Sequence, residues 1–146
     1  MHLTRCANLK ILFLSGNRIQ WKDLQNLNKL KTLVKLDLTG NDLQQMPGTE
    51  GYYGDMKDLE MLVLDKNRIQ RFKQIEGLTK LPSLKHLSLE GNPVTEMRDY
   101  RFELAYHFQE LTLLDRHVIT YDERMGDRKC RSIRFRTLNT FAMVDY

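Results

Sequence analysis

Only two cysteines, Cys6 and Cys130, occur in the 146 residues, and neither belongs to a CxxC or metal-ligand spacing. A secreted domain this small is ordinarily stapled by disulfides, so the scarcity points to a reducing, intracellular compartment. Long apolar runs are missing as well. Stretches such as residues 11–14 fall far short of the ~20 residues that span a bilayer, so no membrane partner is expected. The opening Met1-His2-Leu3-Thr4-Arg5-Cys6 lacks the apolar core of a secretory signal. No phosphate-cradling loop is present, because Gly48, Gly51 and Gly54 are not followed by a Lys-Ser or Lys-Thr pair.

The four histidines, His2, His86, His107 and His117, are scattered along the chain. No metal or cofactor is therefore expected. Charge is uneven. The chain carries a net +4, and from Arg116 onward seven Arg or Lys stand against four Asp or Glu, so most of the excess lies in the last fifth. Any electrostatic argument about partners belongs there, since the body is close to neutral.

What is abundant is leucine, at fixed stations. Leu9, Leu12, Leu14, Asn17 and Ile19 recur as Leu33, Leu36, Leu38, Asn41 and Leu43, then as Leu59, Leu62, Leu64, Asn67 and Ile69, and finally as Leu84, Leu87, Leu89, Asn92 and Val94. The copies start 24, 26 and 25 residues apart. Helical periodicity does not produce this pattern, whereas a short strand followed by a turn does. Alternation sends Leu12 and Leu14 to one face of the strand and Ile11, Phe13 and Ser15 to the other. One unit cannot cover its own leucines, so neighbours stack into a parallel sheet with a continuous core. Asn17, Asn41, Asn67 and Asn92 are expected as a structural ladder in the turns, each bonding backbone of its own coil and of the next.

This predicts an α/β leucine-rich-repeat solenoid, a short right-handed superhelix. Its parallel sheet lines the concave face, its convex side is helical or irregular, and a cap closes the C-terminus. The expected division is a partial repeat or cap remnant at 1–8, four strands with their return segments at 9–95, a cap at 96–125, and a basic, apolar tail at 126–146. Only eight residues precede the first motif, so the chain is expected to be truncated there or covered by a partner. Asp23 and Gln74 are the expected starts of short helical turns on the convex side. Residues 45–55 carry three glycines and a proline and read as a loop. Tyr52 and Tyr53 in that loop are either partner anchors or a pair in which one packs inward and the other lies on the surface.

The cap is carried by Gly91-Asn92-Pro93-Val94, Tyr100-Arg101, residues 111–115 and Glu123-Arg124. With the repeat, these residues resemble the intracellular leucine-rich-repeat subfamily typified by the regulatory subunit of protein phosphatase 1. That subfamily takes in the axonemal dynein light chain, the spliceosomal A-prime protein and short ciliary repeat proteins. The resemblance implies a scaffold or adaptor without catalytic activity, seated in a larger complex of protein partners. Trp21 with Leu24 is similar to the Trp-containing repeat of the dynein light chain, which favours a cytoplasmic, ciliary or axonemal setting, or otherwise a cytoskeletal one. A nuclear ribonucleoprotein component and a phosphatase-regulating scaffold are the alternatives.

Binding is expected on the strand-outward positions Ile11, Phe13, Lys35, Asp37, Met61, Val63, His86 and Ser88, with Ser15, Thr39, Asp65 and Glu90 beside them. Ile11, Phe13, Met61 and Val63 are apolar where the pattern points to solvent, which marks an interface. Alternatively, Ile11 and Phe13 simply cover the incomplete first coil. His86, Ser88 and Asp37 share this face, but an open sheet supplies no oxyanion site, so an enzyme is not expected. In the tail, Arg131, Arg134 and Arg136 alternate with Ile133 and Phe135. They suit an acidic protein surface or a phosphate backbone, or belong to a solvated tail or one threading into a larger assembly; direct nucleic-acid contact is not expected.

Overall fold

The computed structural model describes residues 6–48 and 51–125. The motif segments form four short strands, β1 (Ile11–Phe13), β2 (Lys35–Asp37), β3 (Met61–Val63) and β4 (His86–Ser88). They pair in parallel, in chain order. Each strand turns one residue in three inward, and Leu36, Leu62 and Leu87 are buried there, followed by Leu38, Leu64 and Leu89. Leu12 and Leu14, in the first coil, are only partly buried. A leucine in the stack needs a neighbour on each side, and among the described residues none lies before β1. The interior leucines are the source of stability, since truncating one to alanine costs about 2–5 kcal/mol.

A fifth parallel strand, β5 (Leu113–Leu114), lies inside the stretch assigned to the cap, and β6 (His117–Val118) returns antiparallel to it. The register puts Leu111 and Leu114, both fully buried, at the stations of Leu84 and Leu87. The motif is hidden there because Arg116 and Ile119 replace its third leucine and its asparagine. Two helices close this end, α1 (Tyr100–His107) and α2 (Tyr121–Met125). Arg101 joins them through Glu123 at 2.5 Å and the Leu114 carbonyl at 2.9 Å. Arg124 donates to the carbonyls of Phe108, Gln109 and Leu111, the first two lying just past the end of α1 where carbonyls lack helical partners.

On the convex side the return segments are 3-10 turns, Trp21–Leu24, Leu27–Lys29, Phe72–Gln74, Glu76–Lys80 and Pro93–Glu96. Asp23 and Gln74 do not start them. Each stands third in its turn and reaches back, Asp23 accepting from the Gln20 amide and Gln74 from those of Gln70 and Arg71. Among its described residues the second return segment carries no helix. Its convex space is filled by Met46, Met56 and both tyrosines, which are 6% and 3% exposed. Tyr52 and Tyr53 meet edge to face at 4.8 Å, and the Tyr52 hydroxyl donates to the Leu24 carbonyl. Neither tyrosine lies on the surface, so both readings of the pair are corrected. Where a helix is missing, bulky rings must supply the volume that its leucines would have filled. Gly77 allows this packing, because a Cβ there would stand 3.0 Å from the Pro47 carbonyl oxygen.

The asparagine ladder runs in the opposite direction to that expected. Asn41 accepts from the amides of Asn17 and Ile19 and donates to the carbonyls of Leu14 and Leu38. Asn67 likewise bonds Leu43 and Leu38, and Asn92 bonds Ile69 and Leu64. Each amide therefore ties its own coil to the preceding coil. Asn17 has no described coil before it. It is exposed, and its side chain donates only to the Ser15 carbonyl among the described bonds.

Candidate functional site

Because the strands are parallel and in register, their outward residues form columns across the concave face. Ile11, Lys35, Met61, His86 and Leu113 make one column, and Phe13, Asp37, Val63 and Ser88 the next. Successive members stand one strand spacing apart, about 4.8 Å. The first coil presents its apolar residues openly, with Phe13 62% and Ile11 52% exposed. The Lys35 ammonium lies 5.3 Å from the centre of the Phe13 ring, within cation–π range. Met61 and Val63 are half-buried and line a groove of about 780 Å³ with Lys35, Asp37 and His86.

The polar residues are committed among themselves. Asp37 accepts from the Ser15 hydroxyl at 3.2 Å and the Thr39 amide at 2.9 Å. Burial pushes the Asp37 carboxyl up, but hydrogen bonds from Thr39 and Ser15, together with the Lys35 charge, outweigh it and hold the group below its ordinary range. Ser88 is buried, and its hydroxyl donates to Asp65 at 2.5 Å. That removes Ser88 from the exposed binding set, and it disperses the paper triad, since Ser88 is turned to Asp65 while Asp37 holds Ser15 and Thr39. Among the described residues no group of three or more His, Cys, Asp or Glu is placed to hold a metal ion.

Asp65 and Glu90 stand on the expected concave face, but Arg116 was not among the expected site residues, and together the three organise the C-terminal end of the groove. Asp65 is buried and also accepts from the Glu90 amide at 3.0 Å. Arg116 bridges Asp65 at 2.9 Å and Glu90 at 2.8 Å. It comes from the two-residue turn Asp115-Arg116 between β5 and β6, where both residues have positive φ, 51° and 63°. Counted with the tail, Arg116 reads as one more excess charge. Two short segments, Leu113-Leu114 and His117-Val118-Ile119, separated by the two residues Asp115-Arg116, are the signal that could have placed it in a hairpin.

Elsewhere, Trp21 opens the first convex turn and is 41% exposed, with Leu24 buried beneath that turn. Arg131, Arg134 and Arg136 lie outside the described residues. No helix among the described residues is long and apolar enough to cross a membrane.

Comparison with known proteins places this geometry. The chain is 33% identical over 122 residues to human leucine-rich repeat and IQ domain-containing protein 3, a match covering 84% of this chain and 19% of that protein. It is 31% identical over 127 residues to tubulin-specific chaperone E of Danio rerio, covering 81% of this chain and 24% of the relative. The chain thus spans about a fifth to a quarter of these relatives. The Drosophila melanogaster SNF/U2A' complex contains a chain of like fold, with a TM-score of 0.64 and 24% identity over 86% of this chain and 87% of that one. The family description "Leucine-rich repeat" matches residues 6–140. A six-stranded sheet dominated by parallel pairs, the stacked motif and this match agree, and the chain belongs to the leucine-rich-repeat family.

Proposed function

We propose that the chain is a non-catalytic scaffold or adaptor that grips a protein partner on its concave face. The observation that carries this reading is two pairs of outward apolar residues, Ile11 with Phe13 and Met61 with Val63, flanking Lys35 and Asp37 on a face whose pattern calls for solvent-facing polar groups. Exposed apolar clusters rimmed by polar side chains are what interfaces are made of. Asp37 and His86 supply polar positions beside the cluster. Membership in a family of interaction modules points the same way.

The setting we infer is a cytoskeletal assembly, ciliary or axonemal. It is supported by the Trp21 repeat and by likeness to a relative whose name ties it to tubulin. Proximity labelling in cells tests it, with axonemal or tubulin-associated neighbours as the expected result and spliceosomal or phosphatase neighbours as the refuting one. Phe13→Ala and Val63→Asp test the surface itself. Both should leave the circular dichroism spectrum unchanged and weaken capture of the labelled partner by about fivefold or more, the effect of losing an interface contact worth about 1 kcal/mol. Normal capture by both variants would remove the concave face from the account.

A further inference from the structure

The groove holds an arginine that the repeat motif does not explain. Arg116 sits at φ 63°, a region that bulky side chains rarely adopt. The turn is pinned there because the Asp115 carboxylate accepts from the Leu89 amide at 2.7 Å. From that position Arg116 reaches Asp65, 51 residues earlier in the chain, and also Glu90. Each terminal nitrogen of its guanidinium faces a carboxylate, so the edge of the plane is occupied. The side chain is nevertheless 69% exposed and lines the groove. A flat cation held by two anchors, with most of its surface open, has lost its rotamer freedom before any partner arrives, so binding does not have to supply that entropy.

Charge then decides what fits. Along the groove Asp37, Asp65 and Glu90 balance Lys35, Lys66 and Arg116, and the two carboxylates nearest the guanidinium are already held by it, so the lining draws neither an anion nor a cation. An incoming lysine or arginine meets the guanidinium itself. What suits an exposed guanidinium face is an uncharged aromatic ring, which stacks on it while its edge contacts apolar neighbours. Those neighbours are present as Met61, Val63 and Leu113 in the same groove. We propose that Arg116 is a binding residue of the concave groove, and that the groove receives an uncharged aromatic side chain of the partner polypeptide, stacked on the guanidinium. This rests on the concave-face reading and adds the chemistry of the anchor.

The test is an NMR titration of the full chain with N-acetyl-tryptophanamide, reading the Arg116 Nε–H and the Met61 methyl signals. N-acetyl-lysinamide and N-acetyl-aspartate serve as charged comparators. The indole probe should shift both signals saturably, and the two comparators should not. Arg116→Gln and Arg116→Lys should each weaken the indole about two- to fivefold, since neither offers a planar cation. The Leu89 and Leu113 amide signals check that the variants keep the hairpin. Equal binding by the variants, preference for a charged probe, or no saturable shift at these signals would each overturn the proposal. The partner-capture test is separate. Loss of capture in Val63→Asp with no indole response sinks only the aromatic anchor, and an indole response with normal capture in both surface variants sinks the docking face.

Discussion

The direction of the asparagine ladder makes a quantitative prediction about two residues that share one motif position. Asn67 is buried; its carbonyl oxygen accepts from Leu43, and its amide donates to Leu38, Leu64 and Asp65. In Asn67→Ala these carbonyls keep other donors, since Leu38 still receives Asn41, Leu64 receives Asn92 and Asp65 receives the Gly40 amide. The Leu43 amide has no such substitute among the described bonds. Stranding one buried donor costs about 1–3 kcal/mol, and the other bonds lost add about 1 kcal/mol net, so the expected destabilisation is about 2–4 kcal/mol. Asn17→Ala removes a single exposed bond to Ser15. Surface changes of that kind stay within about 0.5 kcal/mol. Urea unfolding followed by circular dichroism, with the two variants beside the parent, measures the gap. Equal losses at both positions would refute a ladder that ties each coil to the one before it.

Two further outcomes follow from the buried tyrosines and the cap. The Tyr53 hydroxyl is buried with no hydrogen-bond partner, whereas that of Tyr52 donates to Leu24. Tyr53→Phe should be neutral or stabilising, and Tyr52→Phe should cost about 0.5–1.5 kcal/mol, as thermal denaturation of the pair will show. In the cap, the hydrogen bond from Arg101, opposed by burial and helped by Thr120 and the Arg101 charge, holds the Glu123 carboxyl below its ordinary range. A depressed carboxylate stabilises the fold above its unfolded value, about 4.3, and the contribution fades as pH falls through the lower folded value. Glu123→Gln should therefore be less stable than the parent at pH 7, with the difference shrinking in acid. A gap independent of pH would mean that the Arg101–Glu123 pair does not secure the cap through charge.

Four coils were legible because their physics is local. A leucine at every second residue and an asparagine in the turn are properties of single units, repeated. What stayed hidden depends on the neighbour of a unit. The fifth strand is invisible to the motif because burial of Leu111 and Leu114 comes from β4, and Arg116 takes the place of the missing leucine. The glycine-rich context of Tyr52 and Tyr53 left at least one of them on the surface, yet the convex side of that coil has a space for both that only the three-dimensional stack reveals. The groove follows the same rule. Its columns can be read from the strand period alone, but Asp65 and Arg116 are separated by 51 residues and meet because β5 turns back on itself. That pairing explains why the apolar and charged ends of the concave face differ. The first coil shows its apolar side chains because Ile11 and Phe13 stand at its outward strand positions. The last coils present a salt-bridged cluster because the hairpin folds an arginine over them. A partner lying across the strands would therefore meet Ile11 and Phe13 at one end and Arg116 at the other, a polarity that orients it on the sheet.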